Sequence, residues 1–390
     1  MDQPVAERPP RVFALDGAHL LCLRRRVYDG DPALARADER LLQEAGEAAD
    51  AGPFSVMDKE PLPPSGDRHD YLSYGPYWWP DPARPDGLPY VRRDGEVNPD
   101  SERGDRRALG ELVGAVRTLA LAYFYSDHEP YAERAALLLR TWFLHEATRM
   151  SPNLEYGQAI PGRCAGRGIG IIDTRELGAL VDAVGLLAGS PAWTADDEAG
   201  LRAWASAFLD WLLTSAHGRY ESSQANNHGT WYEVQVLSLA LFVDRAECGR
   251  NAAEGRVFER LRAQVEPDGS QPLELARTRS LSYSAMNLQG FFELADLAAH
   301  YGVDLWQYQS ADGRSLRRAT AWLLDRALGA GPWPAEQITE FDPTHLVPLL
   351  RRAGVAWGLP AFEERAGQIA GVNAAADRSL LLYAVPAAAR

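Results

Sequence analysis

Lysine is almost missing from this 390-residue chain: Lys59 stands alone, and every other basic residue counted beside it is arginine. Schiff-base chemistry therefore has one candidate, in a proline-rich stretch. Cysteine is nearly as scarce. Cys22, Cys164 and Cys248 are far apart, odd in number and without a CxxC pair, which excludes a cysteine-type zinc site and a dense disulfide framework and leaves room for one bridge. No run of eighteen apolar residues exists, so no membrane-spanning helix is expected. The segment Met1 to Pro10 has neither the basic n-region nor the apolar h-region of a signal peptide. No HExxH occurs and no second histidine lies at ligand spacing from His228, so no metal is expected. Gly166, Gly168 and Gly170 lack a preceding strand, a correctly placed third glycine and a following GK[ST], which sets nucleotide binding aside.

The formal charge of −14 argues against a general nucleic-acid binder, which needs a basic footprint to release counterions from phosphate. Local field matters more than the sum, however, so arginines gathered in one cleft still allow a polyanion. Hydrophobic content of 46% with 24% charged residues is that of a globular protein. The length permits two or three domains, but no composition break resembling a linker occurs, and a single domain over residues 1–390 is expected.

Helical periodicity dominates and period-2 alternation is scarce. Leu112, Val113, Val116, Leu119, Ala120 and Tyr123 form one apolar stripe; Ala135, Leu138, Leu139 and Trp142 form another; Leu177, Leu180, Val181, Val184 and Leu187 a third. Thr194 with Asp197 reads as a capping box opening a helix that runs to about Ala216. A charged helix is expected at 33–49, with others near 229–244, 280–300, 314–328, 344–354 and 360–370. About a dozen helices result. The segment Trp231 to Phe242 is apolar almost all round, as a helix enclosed by other helices should be. This predicts an all-α fold, an incomplete α/α barrel or toroid of concentric helices. Two irregular regions interrupt it: a Pro- and Gly-rich segment over 52–104, too aromatic for disorder, and the stretch from Ser151 to Gly170.

The chemistry-bearing residues cluster in two segments, Ser223 to Tyr232 and Glu274 to Tyr283. In the first, Asn226 and Asn227 precede His228; one asparagine can cap the helix while the other points elsewhere. Trp231 and Tyr232, three and four residues beyond His228, could wall the imidazole. In the second, Arg279, Tyr283 and Asn287 share a helix face. A tyrosine beside arginines has its phenolate favoured, so its pKa should fall and make it an acid and base. Tyr74, Tyr77, Trp78 and Trp79 offer flat faces to sugar rings. Gln158, Arg163 and Arg167 lie in the second irregular stretch and Arg175 just beyond it, the arginines supplying positive potential to a cleft. Asp173 with Glu176, and Glu233 or Glu274, keep open a glycoside hydrolase built on paired carboxylates. A non-catalytic uronan-binding protein is the third reading.

The segment Asn226-Asn227-His228 with Trp231, the Arg279 to Tyr283 segment and the helical pattern resemble the alginate lyase superfamily of polysaccharide lyases. The run from Tyr74 to Pro82 and that from Asn153 to Gly162 look closer to the branch that includes glucuronan lyases. The resemblance covers about residues 50–350. It implies an α/α toroid, no metal and no organic cofactor, an acidic polysaccharide as partner, and secretion or a periplasmic place if a leader has been removed. It also implies that Asn227, His228, an arginine and Tyr283 cleave a 4-linked uronate polymer, β-1,4-glucuronan or polymannuronate, by β-elimination. The family arginine stands seven residues before the tyrosine, where this chain has Ala276. Arg277 is the nearest match and Arg279 the second. Tyr77, Trp78, Trp79, Gln158, Arg163, Arg167, Trp231 and Asn287 are the expected substrate contacts.

Overall fold

The computed structural model describes residues 8–329 and 331–385; the first seven residues, which begin the segment examined for a leader, lie outside them. Among the described residues fifteen α-helices follow in order. These are α1 (Gly17–Tyr28), α2 (Pro32–Ala49), α3 (Arg106–Ser126), α4 (Glu129–Leu139), α5 (Leu177–Leu186), α6 (Ala195–Thr214), α7 (Ala216–Ser222), α8 (Asn227–Phe242), α9 (Ala246–Gln264), α10 (Pro272–Leu275), α11 (Ser280–Ala299), α12 (Leu316–Ala327), α13 (Val347–Trp357), α14 (Pro360–Ala370) and α15 (Leu380–Tyr383).

The apolar character of the sequence sorts these helices into two layers. Helices α3, α5, α8 and α11, each with buried residues around most of its circumference, pack one against the next as an inner arc. The one-sided helices α2, α4, α6, α9 and α12 lie outside them. This is the expected α/α toroid, open rather than closed into a barrel. Helix α8 is enclosed along almost its whole length, from Asn227 to Phe242.

Five helices were not anticipated: the short α7, α10 and α15, and the longer α1 and α9. In α9 only Ala253, Val257 and Leu261 mark a buried stripe, one residue per turn, hidden among arginines, glutamates and Gly249 and Gly255. The start of helix α1 is set by Asp16, whose carboxylate accepts from the backbone of Ala18 and His19. The helix expected to reach Ala216 instead ends at Thr214, because Ser215 turns outward and caps α7 through Gly218. The three cysteines are all free, so the one disulfide left open does not form. No helix among the described residues is long and apolar enough to cross a membrane.

The Pro- and Gly-rich segment is folded rather than loose. Strand β1 (Leu72–Tyr74) pairs in parallel with β4 (Tyr156–Ala159), and β2 (Trp78–Trp79) pairs antiparallel with β3 (Val91–Arg92). Its base is a buried ion pair, Lys59 to Asp105 at 3.2 Å, with Lys59 also donating to the carbonyls of Val56 and Arg68. The lone lysine is thus a structural ammonium, fully committed to protein acceptors.

The capping box predicted at Thr194 and Asp197 is present in both directions, and Arg140 adds a bidentate bond to the Asp197 carboxylate at 2.7 and 2.6 Å. These bonds, Arg140 first, hold the Asp197 carboxyl well below the usual range. Asp197→Ala should therefore lower the unfolding free energy by about 2 kcal/mol in urea titration, roughly half from the lost cap and half from the lost pair. A carboxyl with a depressed folded pKa stabilises above its unfolded value of 3.8, so the gap between wild type and variant should close as pH falls below about 4.

Candidate active site

The inner helices and the two irregular regions meet at a cavity of about 610 Å³. The ends of β2 and β4, the 168–174 turn and the first turns of α3, α8 and α11 all reach it. Six arginines line it, Arg92, Arg106, Arg167, Arg175, Arg277 and Arg279, and among the described residues no aspartate or glutamate does. In a chain of net charge −14 this is a strong local inversion of sign.

One wall is built from α11 and the 76–98 segment. The Tyr283 hydroxyl lies 2.6 Å from the Tyr77 hydroxyl and accepts from Arg277 Nη2 at 3.0 Å. The guanidinium also sits over the Tyr283 ring, 3.9 Å from its centroid. Arg277 is held in turn by two bonds to Asp94, at 3.0 and 2.8 Å. Burial raises the Asp94 carboxyl, yet the bonds and charge of Arg277, with Arg92, hold it well below its ordinary value. Gly95, at φ 76°, allows this approach: a Cβ there would stand 2.4 Å from Thr278 Oγ1. Arg279 lines the cavity with its Nε buried and unpartnered, and no carboxylate among the described residues pairs with it.

The opposite wall comes from α8 and β4. His228 Nδ1 is 2.6 Å from the Glu221 carboxylate, which is completely buried. Asn227 gives both its backbone N–H and its side-chain Nδ2 to Glu274, each at 2.7 Å. Gln158, at φ 51°, donates to Asp173 and accepts from Arg167 at 2.7 Å. Trp78 lies between, with Arg163 and Arg167 over its ring at 5.1 and 5.9 Å. Gly75 makes room there, since a Cβ would fall 2.6 Å from the Trp78 ring.

The structure therefore brings together Tyr283, His228, Asn227, Arg277, Arg279, Tyr77, Trp78, Gln158 and Arg167. Four expected contacts lie elsewhere. Trp231, 1% exposed, packs in the core, as does Tyr232, so neither walls the imidazole. Asn287 is buried and donates to Gln264 and Gln271, because the α11 face that follows Tyr283 turns inward with Met286 at the cavity instead. Trp79 points away, bonding the Glu96 carbonyl beneath Arg93. Arg163 stays behind Trp78 and bonds the Tyr90 carbonyl. Neither asparagine caps α8 by its side chain.

Two chemical expectations also change. The Tyr283 phenol is raised, not lowered: burial and then Tyr77 push it up, and Arg277 offsets only part. The carboxylates that kept a hydrolase open are spent on protein donors. Asp173 accepts from Tyr71, Ser73 and Gln158, Glu233 from Arg260, and Glu274 from Asn227, while Glu176 pairs with Arg117 and Arg175. Among the residues that the sequence did not single out are Arg92 and Arg106 in the lining and Asp94 and Glu221 behind it. Asp94 is 183 residues from the arginine it holds, while Glu221, seven residues before His228, lies on the neighbouring helix α7.

A sequence model of the alginate lyase family matches residues 55–333. No curated protein matches the chain. Among solved structures, an alginate lyase from Bacteroides ovatus is 38% identical, over 97% of this chain and 100% of its own, with a TM-score of 0.91. Alginate lyase A1-III from Sphingomonas species A1 is 15% identical over 99% of this chain and 100% of its own, with a TM-score of 0.61. A histidine-to-alanine variant of A1-III complexed with a tetrasaccharide gives 15%, 99% of each chain and 0.62. At 15% the likeness is one of fold.

Asp94→Ala should release both Arg277 and the 76–98 segment. Hydrogen exchange of that segment is expected to accelerate by at least about tenfold, since a partly buried pair to arginine is lost along with the bonds from Thr278 to the Asp94 carboxylate. Unchanged protection measured by mass spectrometry would show that the strands alone hold it.

Proposed function

Since this chain belongs to the alginate lyase family and is a polysaccharide lyase, we propose that, as one catalytic domain, it cleaves 4-linked polyuronates by β-elimination with Tyr283 moving the proton. The observation that carries the reading is the cavity itself: six arginines, no carboxylate, and a buried phenol bonded to a guanidinium. Alginate is the substrate in the names of the similar proteins. A polymer with a carboxylate on each sugar suits such a wall.

The step requires loss of the C5 proton, cleavage of the C4–O4 bond, formation of the C4=C5 double bond and return of a proton to O4. The C5 proton is weakly acidic while the neighbouring carboxylate keeps its charge. Donors aimed at that carboxylate stabilise the enolate-like intermediate, as in any oxyanion site. Arg279, with which no carboxylate among the described residues pairs, is placed to take it, together with His228 and Asn227. Glu221 holds the His228 ring in one orientation through Nδ1 and leaves Nε2 for the sugar. Arg277 is committed to Asp94 and Tyr283, so its part is to favour the phenolate.

In β-D-mannuronate and β-D-glucuronate the C5 hydrogen and O4 lie on one face of the ring. A single phenol can then take the proton and give it back. In α-L-guluronate they lie on opposite faces, and His228 would have to be the base. Trp78 and Tyr77 offer ring faces to the sugars. With the carboxylates behind the walls, hydrolysis through two acids has no support in this cavity.

Tyr283→Phe should leave the fold intact and lower release of ultraviolet-absorbing unsaturated uronate by roughly a thousandfold, the size of a lost general acid and base. Arg279→Ala should lower kcat as well as raise KM, because it removes a donor that both binds the carboxylate and stabilises the enolate-like intermediate. Because Tyr283 is raised above its ordinary value of 10, kcat/KM should climb with pH through the neutral range as phenolate appears. Polymannuronate or glucuronan should be cut faster than polyguluronate; equal rates would sink the single-tyrosine scheme.

A further inference from the structure

Asn227 is in an unusual position. Its amide is turned so that Nδ2 faces Glu274, and its Oδ1 is buried without a partner. A buried carbonyl oxygen left unbonded is a cost that proteins normally avoid. The same orientation is wrong for the chemistry, since an amide that meets a uronate carboxylate must present N–H and not C=O. Glu274 is 1% exposed and both of its oxygens are taken, one by the Asn227 backbone N–H and the other by Nδ2.

Both defects vanish together if Glu274 gains one proton. A neutral carboxyl keeps one oxygen as acceptor for the Asn227 backbone N–H, while its O–H donates to Asn227 Oδ1 once the amide has turned over. The two N–H groups of Nδ2 are then freed from Glu274. Resting on the reading of this cavity as a uronate site, we propose that Glu274 is a positioning residue that takes up a proton as substrate binds and turns the Asn227 amide to face the uronate carboxylate.

The surroundings favour this. Burial raises the Glu274 carboxyl, against the two bonds from Asn227 and the charges of Arg277 on its own segment and His228 on α8. Asp94 and Tyr283 are the further titratable groups in contact with Arg277, and Glu221 the one in contact with His228. An arriving carboxylate adds negative charge to this shell and takes up His228 on α8 as its own partner. Both effects raise its affinity for a proton. The proton comes from solvent and returns when product leaves, so no bond of the sugar is involved.

Glu274→Gln is the informative variant, because a glutamine has the hydrogen-bonding pattern of the protonated acid: Oε1 accepts from the backbone and Nε2 donates to Asn227 Oδ1. Calorimetry of the Tyr283→Phe enzyme with β-1,4-glucuronate and β-1,4-mannuronate tetrasaccharides, in phosphate and in Tris, measures protons taken up per ligand bound. Uptake approaching one proton is expected. The Tyr283→Phe, Glu274→Gln enzyme should bind within about threefold and take up none, and Glu274→Gln alone should stay active and lose an ionisation from its kcat/KM profile. Binding without proton uptake, uptake that persists in the glutamine variant, or a Glu274→Gln enzyme as weak as Glu274→Ala would each overturn the proposal while leaving the uronate site standing. No binding of either tetrasaccharide by Tyr283→Phe would instead sink the uronate reading and this proposal with it. If Glu274→Gln melts well below wild type, difference infrared spectra of Tyr283→Phe decide: a protonated-carboxyl band appearing on binding supports the proposal, and its absence overturns it.

Discussion

Everything at the cavity depends on where its negative charge is kept. Six guanidiniums facing one space repel one another, and five of them are held from behind, which keeps the wall together without a ligand. Asp94 holds Arg92 and Arg277, Asp173 lies 3.8 Å from Arg106 and bonds the Gln158 that carries Arg167, and Glu176 lies 3.4 Å from Arg175. These carboxylates sit behind the lining, on the 91–95 turn and the 168–176 turn. The toroid makes this arrangement cheap, because the N-terminal ends of α8 and α11 point into the cavity while their long apolar bodies are sealed between neighbours. The chemistry then rides on rigid element ends, where side chains are placed with little freedom.

The same constraint orders the roles of the arginines. Arg277, with two bonds to Asp94 and one to Tyr283, has no direction left in which to reach for a sugar. Arg279, only two residues on, lies at the start of α11 and keeps its charge unmatched. A two-residue shift at a helix entry thus separates a guanidinium bonded to the phenol from one that lines the cavity with no carboxylate partner among the described residues. The phenol needs such help: removing it from water costs the phenolate more than the single cation returns.

Motifs were legible in the sequence where the physics is local. The inner helix α8, the capping box at Thr194 and the sequence pair Asn227-His228 follow from periodicity and side-chain spacing within a few residues. Helix α9 was not legible, since one buried residue per turn leaves almost no period to read. Trp231 and Asn287 were placed at the site because they lie at helical spacing from His228 and Tyr283. Spacing says which residues share a stripe, and a stripe on an enclosed helix still divides between core and cavity.

The sequence by itself determined the concentric all-α architecture and the family, and it marked Tyr283, His228 and Asn227 as candidates that the fold brings to one cavity, because amphipathic period and short motifs are properties of neighbouring residues. Only the tertiary structure decided that Asp94 and Glu221 belong to the site and that four expected contacts do not. It also decided that Tyr283 is raised rather than lowered and that Asn227 is turned toward Glu274. Each of these depends on which groups the fold brings together, across 183 residues for Asp94 and Arg277, 47 for Asn227 and Glu274 and the α7–α8 junction for Glu221 and His228, or on how much water is left between them, and neither is written in helical spacing.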